Sequence, residues 1–235
     1  SKDYIFKEVL IQNKKINLIF NEVLTDSNSI NKLLYYLLTK VNKKDLNNLI
    51  NKIPISNSII IKEKDINLAI TLKCKSILEQ NGIKVILTRD DDYSLNDANT
   101  SNKKASDLKK RKSLIQESQI NCAVSIHQNS FPDSSSHGAQ VFYHPQSADS
   151  KQLASLIQAQ LQNLTGTENH RKIKANTDYY LLRDNNTPTV IAEVCFLSNP
   201  SEAAMITEET IQEKAAFQIA MGIMQFLHSY SFHLQ

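Results

Sequence analysis

The stretch Val124-Ser-Ile-His-Gln-Asn129 sets a histidine immediately past the end of an apolar run. A strand holds such a side chain rigidly yet lets it face a cleft, and imidazole changes charge near neutral pH, so His127 is the first candidate for chemistry. A second apolar run, Thr189 to Val194, carries Glu193 near its end and leads into Cys195-Phe-Leu-Ser-Asn-Pro200. A histidine and a glutamate at two strand ends suggest one site, suited to moving protons. Cys195 alternates onto the face of Glu193, but no base is supplied for its sulfur, which sets a thiol nucleophile aside. Cys74, Cys122 and Cys195 are odd in number, far apart and set in apolar patterns, so all three read as buried thiols.

The elements that position these residues follow from spacing. Lys15-Ile-Asn-Leu-Ile-Phe20 reads as a strand, and Leu33, Leu34, Leu37, Leu38, Val41, Leu46, Leu49 and Ile50 give an apolar face to a helix from about Ile30 to Ile50, ended by Pro54. Ile66, Ala69, Ile70, Cys74, Ile77 and Leu78 recur at three- and four-residue spacing, and Gly82 stands where a left-handed C-terminal cap belongs. A strand is expected at Ile83 to Thr88, a loop from Arg89 to Lys104, a helix from Ala105 to Ser118, and a buried strand from Ile120 to Ile126. Further strands are expected at Gly138 to Tyr143, Tyr179 to Leu182 and Thr189 to Val194. Helices are expected from Asp149 or Ser150 to about Leu164, and from about Glu209 to Ser229. Strands alternating with helices predict an α/β fold, a three-layer sandwich with a mostly parallel central sheet flanked by helices.

Composition bounds the function. At 235 residues the chain can hold one sizeable core, and 27 basic against 24 acidic residues leave a net charge of +3, with the basic residues spread rather than gathered in a stripe. Nucleic acid is therefore not an expected partner. No apolar run approaches the length of a membrane span, no Cys-x-x-Cys pair suggests a zinc ribbon, and the start of the chain lacks a signal-peptide pattern.

Three stretches in register resemble the zinc-dependent N-acetylmuramoyl-L-alanine amidases that cleave peptidoglycan. They are Glu63-Lys-Asp-Ile-Asn-Leu68 leading to Thr88-Arg-Asp90; Ser125-Ile-His-Gln-Asn-Ser130 with Gly138-Ala-Gln-Val-Phe-Tyr143; and Tyr179-Tyr-Leu-Leu-Arg183 with Pro188-Thr-Val-Ile-Ala-Glu193 and Phe196-Leu-Ser-Asn-Pro200. The Gln after the histidine and the Gly-Ala-Gln-Val-Phe-Tyr run look most like the branch acting in spore cortex maturation and germination. The resemblance implies a catalytic domain over residues 58–235; residues 1–57 read as an atypical strand and helix whose apolar face, Leu33 to Ile50, could pack on that domain or hold a partner, with packing favoured because exposed apolar stripes of that size are rare. It further implies zinc held by Glu63 and His127, with Glu193 as the acid/base on the attacking water. Such a protein would be secreted or envelope-associated, with peptidoglycan as its partner and an accessory protein as a further candidate. Imidazole and carboxylate suit zinc, and a catalytic site takes three protein ligands with a fourth position open. Arg89 and Arg183 are the candidates for binding stem-peptide carboxylates, since a guanidinium presents a fork of donors, and Asn129 is a further substrate-side candidate through its amide.

The family's first ligand is a histidine in a Pro-Gly-His-Gly-Gly-like turn, whereas the first histidine here is His127 and the strand at Lys15 to Phe20 is followed by Asn21-Glu-Val-Leu-Thr-Asp26. Glu22 or Asp26 could supply a substitute oxygen. His137, His144, His170, His228 and His233 read as solvated or structural. Two functional classes stay open: an active metal-dependent amidase, or a degenerate amidase fold that binds glycan-peptide or a partner without cutting. Read singly, Glu63 could serve a helix dipole, His127 could cap a loop, and Glu193 could pair with Arg183 or Arg89.

Overall fold

The computed structural model describes residues 5–12, 15–23, 62–97, 99–164 and 169–231. The chain divides into two compact units, Ser1–Ile60 and Ile61–Gln235. In the first, strands β1 (Ile5–Gln12) and β2 (Lys15–Val23) pair antiparallel, with a register shift between Phe6 and Lys7. The spacing predicts β2 but not its partner; the helix expected from Ile30 to Ile50 lies outside the described residues.

The second unit opens with helix α1 (Glu63–Gln80), which buries Ile66, Ile70, Cys74 and Leu78 along one stripe. It ends as its sequence predicts. Gly82 takes φ +76°, and the Gly82 and Ile83 N–H groups donate to the Glu79 and Leu78 carbonyls, both at 3.0 Å, the two bonds of a Schellman cap. The segment expected to be a strand, Ile83 to Thr88, has no strand pairing; Ile83 and Val85 still pack on the core, which accounts for its apolar alternation. Helix α2 (Lys103–Glu117) follows, with the Asn102 side chain capping the Ala105 N–H at 3.1 Å.

The four-stranded sheet runs in the order β3 (Ala123–Asn129), β6 (Thr189–Phe196), β4 (Gln140–Tyr143), β5 (Lys174–Ala175). Pairs β3–β6 and β4–β5 are parallel, and β4–β6 is antiparallel. On one face, α1, α3 (Ala148–Leu161) and α5 (Glu209–Ser231) enclose the main core with Val141, Val190, Ala192 and Val194. On the other, Phe142, Leu182 and Ile191 form a smaller cluster with Tyr179, and α2 packs on the adjoining turn. Helices on both faces of the sheet make the three layers. Tyr180–Leu182 is a 3-10 turn rather than the expected strand: the Leu182 N–H donates to the Tyr179 carbonyl at 3.0 Å, a local bond in place of strand pairing, and Leu181 and Leu182 are both buried. Short helix α4 (Pro200–Met205) begins at an Asn199 cap with proline at its first position. Among the described residues no helix is long and apolar enough to cross a membrane.

Candidate active site

The site forms at the C-terminal ends of the parallel strands β3 and β6, where open α/β sheets place their ligands. His127 and Glu193 are register partners across this pair, so their side chains leave the same face of the sheet. Glu63 arrives as the first residue of α1, where the helix dipole favours a carboxylate. Its Oε1 lies 2.9 Å from His127 Nδ1 and also accepts the Gln128 backbone N–H at 3.2 Å and the Asn67 amide at 3.1 Å. These donors, the His127 bond foremost, lower the Glu63 pKa to about 2 against the cost of partial burial. An ionised carboxylate only accepts, so His127 Nδ1 carries the proton in this bond.

Glu193 sits in the opposite electrostatic state. It is 8% exposed on a fully buried strand, and its Oε2 has no hydrogen-bond partner. Burial, with the Glu63 charge adding to it and His127 opposing, raises its pKa to about 7. Two neighbouring carboxylates thus differ by several pKa units. That separation lets one remain charged while the other takes and gives a proton at neutral pH. No ion pair joins Glu193 to Arg183 or Arg89.

Among the described residues no three His, Cys, Asp or Glu side chains converge on one point. Glu63 and His127 are two donors of the chemistry zinc takes, one short of a catalytic set. Asp26 lies outside the described residues, and of Glu22 only the backbone is described. Cys195 is no nucleophile: it is fully buried, its thiol is held protonated by burial, and it donates to Gln128 Oε1 at 3.0 Å.

The remaining candidates are placed as follows. Arg89 donates from Nη1 to the Asp91 carbonyl at 3.0 Å and from Nη2 to the Lys64 carbonyl. It also lines a cleft of about 560 Å³ whose walls carry five basic side chains, Lys103 and Lys104 among them, against Asp92 and Asp107. Lys64, next to Glu63, belongs to the same cleft. Asn129 turns its Oδ1 back to the Ser130 N–H at 2.8 Å, a local turn contact. Arg183 is exposed and stands over the Tyr180 ring at 5.7 Å. His137 rests against the Ser135 carbonyl at 2.9 Å. Sequence reasoning missed Asn67 and Gln128; the four-residue step from Glu63 to Asn67 on a helix was the available signal.

This arrangement has counterparts. The sequence model of the N-acetylmuramoyl-L-alanine amidases matches residues 51–225. The germination-specific N-acetylmuramoyl-L-alanine amidase of Bacillus subtilis is 37% identical over 168 residues, 70% of each chain. The CwlD amidase from Clostridioides difficile, solved in complex with the GerS lipoprotein, superposes with a TM-score of 0.69 at 46% identity, covering 71% of this chain and 87% of that one. The catalytic domain of CwlV, an amidase from Bacillus (Paenibacillus) polymyxa var. colistinus, gives 0.61 at 34% identity, covering 71% and 85%. The match runs through α1, β3 and β6, the elements that bring Glu63, His127 and Glu193 together, and the chain belongs to the N-acetylmuramoyl-L-alanine amidase family of peptidoglycan hydrolases.

Proposed function

We propose that the chain hydrolyses the amide joining the lactyl group of N-acetylmuramic acid to L-alanine in peptidoglycan, with Glu63 and His127 as zinc ligands and Glu193 as the acid/base. One observation carries this reading: an ionised carboxylate 2.9 Å from an imidazole nitrogen, beside a buried carboxyl with a pKa near 7 and an unpartnered oxygen. Zinc, when bound, would polarise the scissile carbonyl and acidify the attacking water. Glu193 accepts a proton from that water and delivers it to the departing amine of L-alanine, tasks for which a pKa near 7 is matched. Glu63 stays charged at neutral pH, and Glu63 and His127 would hold the metal as a carboxylate oxygen and a neutral imidazole nitrogen. The basic cleft lined by Lys64, Arg89, Lys103 and Lys104 suits the carboxylates of the stem peptide, with Arg89 as its guanidinium candidate; Arg183 and Asn129, outside that lining, are the further substrate-side candidates.

A peptidoglycan substrate supports a secreted or envelope-associated protein. Cortex peptidoglycan is favoured by the germination-specific relative, and an accessory envelope protein by the relative solved with a lipoprotein. A fold that only bound peptidoglycan would have no use for a buried, unpartnered carboxyl next to a charged one. The test is zinc content and release of free L-alanine amino groups from peptidoglycan, for wild type, His127→Ala and Glu193→Ala. Stoichiometric zinc kept by Glu193→Ala and lost by His127→Ala, with amine release lost in both, is expected. Peptidoglycan binding without zinc or amine release in the wild type would overturn the reading.

A further inference from the structure

The proposed metal ligand Glu63 is held by more than its bond to His127. Asn67, one turn further along α1, donates from Nδ2 to Glu63 Oε1 at 3.1 Å, and its own Oδ1 accepts from Gln128 Nε2 at 3.1 Å. Gln128 Oε1 in turn accepts from the Cys195 thiol at 3.0 Å. Gln128 is 5% exposed and Cys195 fully buried, so water does not substitute for these contacts. The chain of bonds crosses three elements, β6, β3 and α1, and ends on one carboxylate oxygen.

Its direction is fixed at both ends. The Glu63 carboxylate can only accept, so Asn67 must turn its NH₂ toward it and its carbonyl toward Gln128. Gln128 must then donate to Asn67, which leaves its carbonyl facing residue 195, where the structure needs a donor. A protonated cysteine supplies one, and burial keeps the thiol protonated. A reversed amide anywhere in the series would set an acceptor against an acceptor in a low-dielectric site, where the mismatch is most costly.

We infer that the Cys195–Gln128–Asn67 series is a positioning relay that aims Glu63 at His127, with the buried thiol of Cys195 acting as the donor that sets its polarity. The function of this cysteine is to be a small, weak, non-ionising hydrogen-bond donor. The inference rests on the reading of Glu63 and His127 as the metal-binding pair, and its two readouts separate the one from the other. Groups of this kind, one step behind the ligands, commonly change metal affinity by about 10–100-fold when removed.

The first readout needs no metal. In metal-free protein the ring N–H of His127, hydrogen-bonded to Glu63 at 2.9 Å and partly exposed, is followed at low temperature as a downfield proton resonance. The relay requires this resonance to broaden or vanish in Gln128→Leu and in Asn67→Asp, where an acceptor replaces the donor facing Glu63. It should weaken in Cys195→Ala and return in Cys195→Ser, which restores a donor. Circular dichroism and melting temperature identify any variant that has lost its fold, and the Cys195→Ser and Cys195→Ala pair carries the test if one has. The second readout is zinc affinity by competition with a chromogenic chelator, where Gln128→Leu, Asn67→Asp and Cys195→Ala should bind about 10–100-fold more weakly and Cys195→Ser close to wild type. At saturating zinc, kcat should return toward wild type with KM unchanged in Gln128→Leu and Cys195→Ala, since both side chains are buried. An unchanged His127 resonance in all folded variants overturns the relay. A resonance that responds as stated in a wild type that binds no zinc keeps the relay and overturns the metal reading.

Discussion

Glu63 and Glu193 approach the same histidine with pKa values driven in opposite directions, to about 2 and about 7. The difference comes from their supports. Glu63 Oε1 is surrounded by donors from His127, Gln128 and Asn67, whereas Glu193 Oε2 is buried with none. Glu193→Gln keeps the shape of the side chain and removes its capacity to carry a proton. Amide hydrolysis should fall by about 100-fold or more in this variant, while zinc affinity stays within a few-fold of wild type. Parallel loss of metal would instead make Glu193 a ligand.

The raised pKa of Glu193 also sets a pH dependence of stability in the metal-free protein. Below the ordinary value of 4.5 the group is protonated in both folded and unfolded chains. Between 4.5 and about 7 the unfolded chain loses a proton that the folded one keeps, so stability falls as pH rises through that window and levels off above it. The full span is of the order of 3 kcal/mol. Urea unfolding of wild type and Glu193→Gln should show the variant gaining relative stability from about pH 5 to about pH 8. A difference that does not change with pH would mean the carboxyl is solvated.

Two packing positions test the scaffold behind the site. At Gly222 in α5, a Cβ would lie 2.7 Å from Ile157 Cα and 2.9 Å from its nitrogen, backbone atoms of α3 that cannot step aside. Gly222→Ala should destabilise by about 1–3 kcal/mol, seen as a lower melting temperature, because the helices must separate. Glu202 is buried in α4 and accepts the Gly138 N–H at 2.8 Å and the Phe196 N–H at 2.7 Å, tying the end of β6 to the start of β4. Glu202→Ala leaves two buried donors unpaired and should cost about 2–4 kcal/mol in chemical unfolding.

The sequence announces the parts of this scaffold whose signals are local. The stripe Ile66, Ile70, Cys74, Leu78 and the Gly82 cap give the buried face and the C-terminal end of α1, because one helix face and one left-handed turn decide them, whereas its start at Glu63 carries no such signal. Ile83 to Thr88 has the composition of a strand, but a strand exists only through pairing, and a run of residues does not reveal whether a partner edge is offered. Ser198 and Asn199 read as turn residues after the strand, and the Asn199 side chain also accepts from Ser201 at 3.0 Å and Glu202 at 3.2 Å and starts a helix that delivers Glu202. His127 and Glu193 stand out because polar groups are unusual at the ends of apolar strands. Asn67, Gln128 and Cys195 do not, since each is unremarkable where it stands and their relation exists only after folding brings three elements together.

Lys103 and Lys104 open α2, whose first turn holds no acidic residue, so both cations sit at the positive end of the helix dipole. Neither makes an ion pair among the described residues, and both line the cleft that begins beside Glu63. Two positive charges placed against the dipole weaken the helix, which makes sense if the cleft uses them on an anionic substrate. Lys103→Glu with Lys104→Glu should therefore raise thermal stability slightly, by about 0.3–1 kcal/mol for each position, while raising KM for peptidoglycan several-fold and leaving kcat unchanged. The KM difference from wild type should shrink as salt is added, since exposed charges are screened within about 10 Å at 0.1 M ionic strength. A gain in stability with an unaltered KM would place the stem peptide elsewhere on the surface.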